Sequence, residues 1–569
     1  MKKVLKILKY ARGETLAPLV LKNASIINVY TQSIMQADIA ICDDVIVGVG
    51  SYHGVEEIDC TGKYIAPGFI DTHVHIESAM VTPEVFSHLA IKHGVTTVVA
   101  DPHEIANVMG TKGLDFMLEN SKNAVIDCYF MLPSCVPAVS FEDNGATLNA
   151  KKLKKYLKHP RVFGLGEVMD VGAVINGNRD MLEKVLNAKQ VNKNVDGHAP
   201  TLSGKDLNAY ISMGIKTDHE CTTPEEALEK VNLGMYVLLR EGSQSKDLRE
   251  LIKVVNQDNY TRFLYCTDDR HIEDLIEEGS IDNNIRVSIK LGLDPIKAYT
   301  IATLNAATCY NLKDRGAIAP GLKADLVIFS DLQELKIEKV MKNGRFYEES
   351  KKHLPVEMKN TMRVKAVTPD LFKVKAKSKY VNVIQVVPKS LITKGVVKEI
   401  EVEAGFVKRV KGEEEVLKLA VIERHKNTGK YYVGYLEGLG MTNCTIAQTI
   451  SHDSHNIIVA GSNDEDMYLA TQELIKIGGG IVFVSEGKVL CELSLPIAGI
   501  MTADDCTIVC EKVRKLNQLA KEYGVKPGID PYIALAFMAL PVIPDVKLTP
   551  RGLFDYNRFD FIDLFVDEK

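Results

Sequence analysis

The sequence predicts an α/β protein: a (β/α)8 barrel, a small discontinuous β-sandwich domain that brackets it in the chain, and a C-terminal α+β domain. Three observations carry that expectation. The chain has 569 residues, too many for one ordinary core. Between about Gly68 and Tyr310, short apolar runs alternate with helical stretches, and eight of these runs end in polar or ionisable residues. Short β-branched strands with turns precede this region and return after it.

Taken in order, residues 1–67 open with "MKKVLKILKYARGETLAPLVL". Charges interrupt its apolar run and no small-residue cleavage site follows, so an amphipathic helical arm is expected rather than a signal peptide. "LVLKNASIINVYT", "ADIAICDDVIVGVG" and "YIAPGFID" then read as strands of a small sheet. Residues 68–310 supply the barrel strands: "FIDTHVH", "VTTVVAD", "NAVIDCYFML", "RVFGLGEV", "NVDGHA", "IKTDHE", "MYVLLREG" and "RFLYCTDD". "GAIAPGLKADLVIFS" and "VMKNGRFYEE", within 311–350, are expected to rejoin the first sheet. The polar link "ESKKHLPVEMKNTMR" leads to a mixed block over 364–569.

Composition narrows the class. Hydrophobic residues make up 46% and charged residues 25%, the balance of a soluble globular chain. A net charge of −6 gives no basic footprint for nucleic acid or an anionic membrane, and no run reaches transmembrane length. The 11 cysteines are scattered without a CxxC, which suits free thiols in a reducing cytoplasm. Cys221 and Cys266 fall near strand ends without a histidine arrangement that would make a nucleophile, so core packing is expected. "GGG" at 478–480 lacks the GxGxxG pattern of a dinucleotide site.

The barrel gives the ionisable residues a place. Chemistry in this fold collects at the C-terminal ends of the strands. His73 and His75 alternate along the first strand and face one side. Glu167 ends the fourth strand, His198 the fifth, His219 the sixth and Asp268 the eighth. Each alone has an ordinary reading: Glu167 as the partner of a lysine, Asp268 as the cap of a helix starting near His271. Together, four imidazoles and two carboxylates suit divalent Mn, Fe or Zn, and a pair of ions sharing Glu167 fits the count.

With these residues in view, the chain resembles the amidohydrolase superfamily and, within it, the adenine deaminases. The broader resemblance rests on "PGFIDTHVH" and "GAIAPGLKADLV"; the narrower one on "HVHIESAM", "VADPHEIANVMG", "LREGS", "CTDDRHIEDL" and, in the last block, "SHDSHN" and "KIGGGIVFV". Ala79 departs from a serine of the family pattern, a small-for-small change. The resemblance implies a metal-dependent hydrolase barrel that deaminates adenine to hypoxanthine and ammonia in purine salvage, with a binuclear Mn(II) or Fe(II) centre. It implies that His73 and His75 bind one ion and His198 and His219 the other, that Glu167 bridges them, and that Asp268 completes the set and acts as base, then acid. A small purine base is the expected partner, with no nucleic acid and no membrane, and a homo-oligomer, a dimer, is expected.

Other residues keep two readings. Asp101, His103 and Glu104 either start a helix, with Asp101 as cap and Pro102 at its first position, or support the ligands and hold an accessory ion. Glu77 either protonates or orients a purine nitrogen or is a hydrogen-bonded loop carboxylate. Arg240, Glu241 and Ser243, with Asp269, are candidate substrate contacts; a buried ion pair is the other reading for Arg240. Asp269, Arg270 and His271 are read as partly structural. His452, Asp453 and His455 are candidates for a lid over the barrel mouth; an exposed turn in a domain used only for dimerisation is the alternative. Deamination of another nucleobase, and cyclic-amide hydrolysis of the dihydroorotase or hydantoinase kind, remain alternative activities. The latter would want a lysine where Glu167 stands. A non-catalytic scaffold would be expected to have lost ligands that are all present.

Overall fold

The computed structural model describes residues 1–349, 356, 358, 360–388, 390–412 and 415–567. Of the link expected over 349–363, residues 350–355, 357 and 359 lie outside the described residues.

Eight parallel strands form one sheet in sequence order: β1 (Phe69–Val74), β2 (Val95–Ala100), β3 (Asp127–Pro133), β4 (Val162–Val168), β5 (Asn194–Gly197), β6 (Thr217–Asp218), β7 (Tyr236–Arg240) and β8 (Phe263–Cys266). The last meets the first through a parallel bridge between Val74 and Asp268. There Asp268 N donates to His73 O (3.0 Å) and His75 N to Asp268 O (3.2 Å), so the sheet closes into a barrel at the level of the site residues. The strands read as near-continuous apolar runs because both faces are covered. Ile70, Val99, Met131, Leu238 and Leu264 share one core with Ala306, Cys309 and Tyr310, while their neighbours Phe69, Val98, Phe130, Val237 and Phe263 belong to a separate core. That period of two is the alternation of an inner and an outer barrel face. Cys266 and Cys221 sit in these two cores, as packing residues.

A second sheet joins the two stretches that bracket the barrel. Leu326–Phe329 pairs antiparallel with Tyr64–Pro67, Leu326 opposite Pro67 and Phe329 opposite Tyr64. Its two faces carry different clusters, Leu21, Ile39 and Ile41 in one and Val20, Ala40 and Cys42 in the other. The N-terminal arm is helical over Lys2–Ala11 and packs Tyr10 into the second cluster.

The C-terminal block is built on a ten-stranded sheet flanked by the helices Asp464–Lys476 and Cys506–Glu522, with a three-stranded sheet beside it. It lies against the barrel mouth. Thr82 N donates to Thr502 O (3.1 Å) and Thr502 N to Met80 O (2.9 Å), a single parallel bridge of Val81 with Thr502 across the boundary. Arg551 grips Asp143 of the loop after β3 with two hydrogen bonds of 2.7 and 3.0 Å.

Candidate functional site

The strand ends bring six sequence-predicted ligands together. His73 Nε2 and His75 Nε2 are 3.2 Å apart. Glu167 Oε1 lies 3.0 Å from the first and 2.8 Å from the second, and Asp268 Oδ1 lies 3.3 and 3.1 Å from them. The other Glu167 oxygen, Oε2, is 3.3 Å from His198 Nδ1. His219 stacks on His73, ring centroids 4.1 Å apart, and completes a cluster with Glu167 and His198. One carboxylate therefore serves two groups of donors. Backbone strain aims both acids: Glu167 has φ 27° and Asp268 φ 56°, a region that residues with a side chain seldom occupy and that is retained where surroundings enforce it.

The donor chemistry fits cations. Asp101 Oδ1 and Oδ2, His103 Nδ1, Glu167 Oε1 and His198 Nδ1 are buried and have no hydrogen-bond partner. Glu167 Oε1 is within ion-pair distance of three imidazoles, His73, His75 and His103, yet has no aligned N–H, which is how lone pairs gather around a metal ion rather than along a hydrogen bond. Electrostatics agrees. Burial disfavours charge on His73 and His75, but Glu167 and Asp268 outweigh it and lift His73 to about 10 and His75 well above the usual range. Burial opposes the ionised carboxylates too, and the surrounding histidines still hold Glu167 and Asp268 well below theirs. His219 goes the other way, down to about 3, through burial and the neighbouring His73. The centre demands positive charge, which protons or metal ions can supply.

Asp268 is oriented from behind. Arg240 Nη1 donates to its Oδ2 (2.8 Å), and the same guanidinium binds Asp247 Oδ2 through Nε (2.9 Å) and Nη2 (2.7 Å) and pairs with Glu220. The structure thus gives Arg240 its ion-pair reading. Glu241 pairs with Arg249 (2.8 Å), and neither Arg240 nor Glu241 lines the cavity at the barrel mouth. Ser243 and Asp269 do line it, with Glu77, Ser78 and Asp268. Arg270 is fully buried and holds the loop through Glu241 O, Gly242 O, Gly279 O and Glu278, a structural role. Glu77 accepts from Ile105 N (3.3 Å) through Oε1; its Oε2 is buried without a partner, and burial lifts its pKa to about 7.

Neither capping alternative is seen. The helix His103–Met109 has Pro102 at its N-cap and no side-chain cap bond; both Asp101 oxygens are instead unpartnered beside His103 and Glu167. The helix Ile272–Glu277 is preceded by His271, not capped by Asp268. "SHDSHN" is not an exposed turn: Ser451–Asn456 is buried throughout. His452 Nδ1 is 2.5 Å from Glu104 Oε1, and His455 Nε2 contacts Glu104 Oε2. Glu104 Oε1 is also 3.2 Å from His103 Nε2, while His103 Nδ1 faces Glu167 at 3.7 Å. One imidazole therefore stands between the Glu167 carboxylate and the interdomain contact. The cavity itself is roofed by the C-terminal domain: Gln448, Ile450, His452, Ile481 and Phe537 line it.

Sequence reasoning missed Glu220 and Gln448. Glu220 directly follows His219 and lies 3.6 Å from its Nε2, so adjacency to a ligand was its signal. Gln448 has no motif to mark it.

The Amidohydrolase family profile matches residues 64–347, and the profile described as Adenine deaminase C-terminal domain matches residues 390–560. The chain is 46% identical to "Adenine deaminase 2" of Carboxydothermus hydrogenoformans, over 99% of this chain and 99% of that protein. It is 44% identical to "Adenine deaminase" of Clostridium acetobutylicum (97% and 98% covered) and 44% identical to that of Geobacillus kaustophilus (97% and 97%). The chain belongs to the adenine deaminases, within the amidohydrolase family.

Proposed function

We propose that this member of the adenine deaminase family hydrolyses adenine to hypoxanthine and ammonia, at a centre loaded with two divalent ions, Mn(II) or Fe(II). The observation that carries the reading is the Glu167 carboxylate, with one oxygen toward His73 and His75 and the other toward His198. His73 and His75 would hold one ion, His198 and His219 the other, Glu167 both, and Asp268 would close the set. Such ions would supply a nucleophile at neutral pH by acidifying water.

The chain's own groups do the rest. Asp268 keeps Oδ1 turned to the centre because Arg240 holds Oδ2; it takes the proton of the attacking water and passes it toward the ring or the leaving amine. Glu77, with a pKa near neutrality and an unpartnered oxygen, holds a proton for a ring nitrogen. His452 and the apolar roof exclude bulk water from the cavity. The test is to incubate Mn-loaded protein with a panel of free bases and nucleosides and measure ammonia. Release from adenine is expected; release from another base alone, or cleavage of a cyclic amide alone, would overturn the assignment. We assign the protein to purine salvage in the cytoplasm, where its eleven free cysteines suit a reducing compartment, and as a dimer, which light scattering checks.

A further inference from the structure

Gln448 ends the strand Thr445–Gln448, is fully buried and lines the cavity from the C-terminal domain. Its Nε2 donates to Ile450 O (2.8 Å) and to Tyr532 O (2.8 Å). Both amide hydrogens are used, and this fixes the orientation of the group. A flipped amide would set its oxygen against two carbonyl oxygens. What remains is Oε1, buried and without a hydrogen-bond partner. A buried acceptor left unpaired is costly, and in a cavity wall it is a place where a ligand donor is wanted.

The chemistry of the base supplies one such donor. With the reading above, the carbon that loses its amine faces Asp268 and the barrel, so the opposite edge of the ring faces the C-terminal domain. The six-membered-ring nitrogens of adenine are acceptors only. Apart from the amine at the reacting carbon, the single donor is the N–H of the imidazole ring. An acceptor that cannot turn into a donor can be satisfied there and nowhere else on the base.

We infer that Gln448 Oε1 accepts a hydrogen bond from the imidazole-ring N–H of the purine, and that Gln448 is thereby a residue selecting free bases over nucleosides, in which that nitrogen carries the sugar. The inference rests on the proposed adenine chemistry and adds a specificity residue outside the barrel.

Two ligands isolate the contact. 7-Deazaadenine keeps the N–H; furo[2,3-d]pyrimidin-4-amine has the same shape with oxygen in its place. Their inhibition constants against adenine are measured for the metal-loaded protein and for Gln448→Met, which keeps the volume and removes the acceptor. The native protein should bind 7-deazaadenine on the order of 10- to 100-fold more tightly than the furan, since the exchange both loses a bond and leaves Oε1 unpaired. In Gln448→Met the ratio should collapse to about one through weaker binding of 7-deazaadenine, with the furan unaffected. A native ratio near one, which needs no variant to measure, or a ratio preserved in the variant, overturns the inference. Ammonia release from adenine in the same preparation separates the two levels: release with no discrimination removes the role of Gln448 alone, while no release removes the activity on which it rests.

Discussion

Glu104→Gln should uncouple the C-terminal domain from the barrel. The native carboxylate accepts from two imidazoles of "SHDSHN", one on each oxygen, and lies 3.2 Å from a third, His103. His455 Nδ1 accepts from Ser451 N (3.3 Å), so its Nε2 carries the hydrogen that points at Glu104. Gln offers one oxygen and one NH2. With its oxygen on His455 Nε2–H, the NH2 faces His452 Nδ1, and while that nitrogen carries its proton N–H meets N–H and a buried donor is left unpaired, a cost of about 1–3 kcal/mol; the turned amide leaves His455 unpaired instead. The charge is lost as well. Burial disfavours protonated His452, yet Glu104 lifts it to about 9; without that carboxylate His452 gives up its proton or remains an unpaired buried cation. Breaking one side of a buried pair typically costs about 3–5 kcal/mol in total. If turnover needs the roofed cavity, about 3 kcal/mol shifts docking by about 100-fold. The assay is kcat/KM for adenine, together with metal content and calorimetric Tm. We expect kcat/KM to fall at least about tenfold and the unfolding transition to broaden or split, with the barrel metals retained. A folded variant within twofold of native kcat/KM and with unchanged Tm would refute the reasoning.

Glu167→Gln should lower metal content below two per chain by elemental analysis as well as lowering turnover; native protein fully active with a single tightly held ion would refute the bridge. Asp268→Asn should keep its metal but lose on the order of 100- to 10,000-fold in kcat, since its one amide oxygen can still face the centre but cannot take a proton, while the NH2 left facing Arg240 gives up that bond. Lys547 is fully buried, its Nζ donating to Leu391 O (3.0 Å), and burial lowers its pKa from 10.5 to about 7. The folded state then binds fewer protons than the unfolded state between those values, so this group adds stability as pH rises through the window. Lys547→Met should raise Tm at pH 6, where the native protein must bury a charge, and have little or opposite effect at pH 11. A Tm gain equal at both values would contradict the buried-lysine account.

The barrel was legible because each strand is a short apolar run covered on both faces, and each candidate ligand sits where such a run ends; His73, Glu167, His198, His219 and Asp268 follow from that rule alone. The sheet that joins Tyr64–Pro67 to Leu326–Phe329 could be anticipated from returning β-branched composition, but not its register, which depends on contacts across the whole barrel. The capping alternatives at Asp101 and Asp268 rest on local propensity, which favours an acid before a helix, whereas burial and the nearby imidazoles decide where those carboxylates point. Arg240 could not be assigned from sequence, since its three carboxylate partners, Glu220, Asp247 and Asp268, come from three loops. Glu104 was singled out with the barrel and His452 with the last domain; nothing in either string says that they touch.

That contact links docking to chemistry through Glu77. The residue is 3% exposed, and the cause of its high pKa is burial first; His75 opposes the shift and Glu104 adds to it. The cavity it lines is polar on the barrel side, with Asp268, Asp269 and Ser243, and largely apolar on the roof, with Ile450, Ile481 and Phe537. An apolar roof raises the cost of ionising a carboxyl beneath it and strengthens every charge interaction in the same space. Undocking would admit water to Glu77 and return it toward the ordinary carboxylate range, where it holds no proton at neutral pH. The domain that closes the site would then also decide whether the acid within it is charged, without any residue of that domain donating to the reacting atoms.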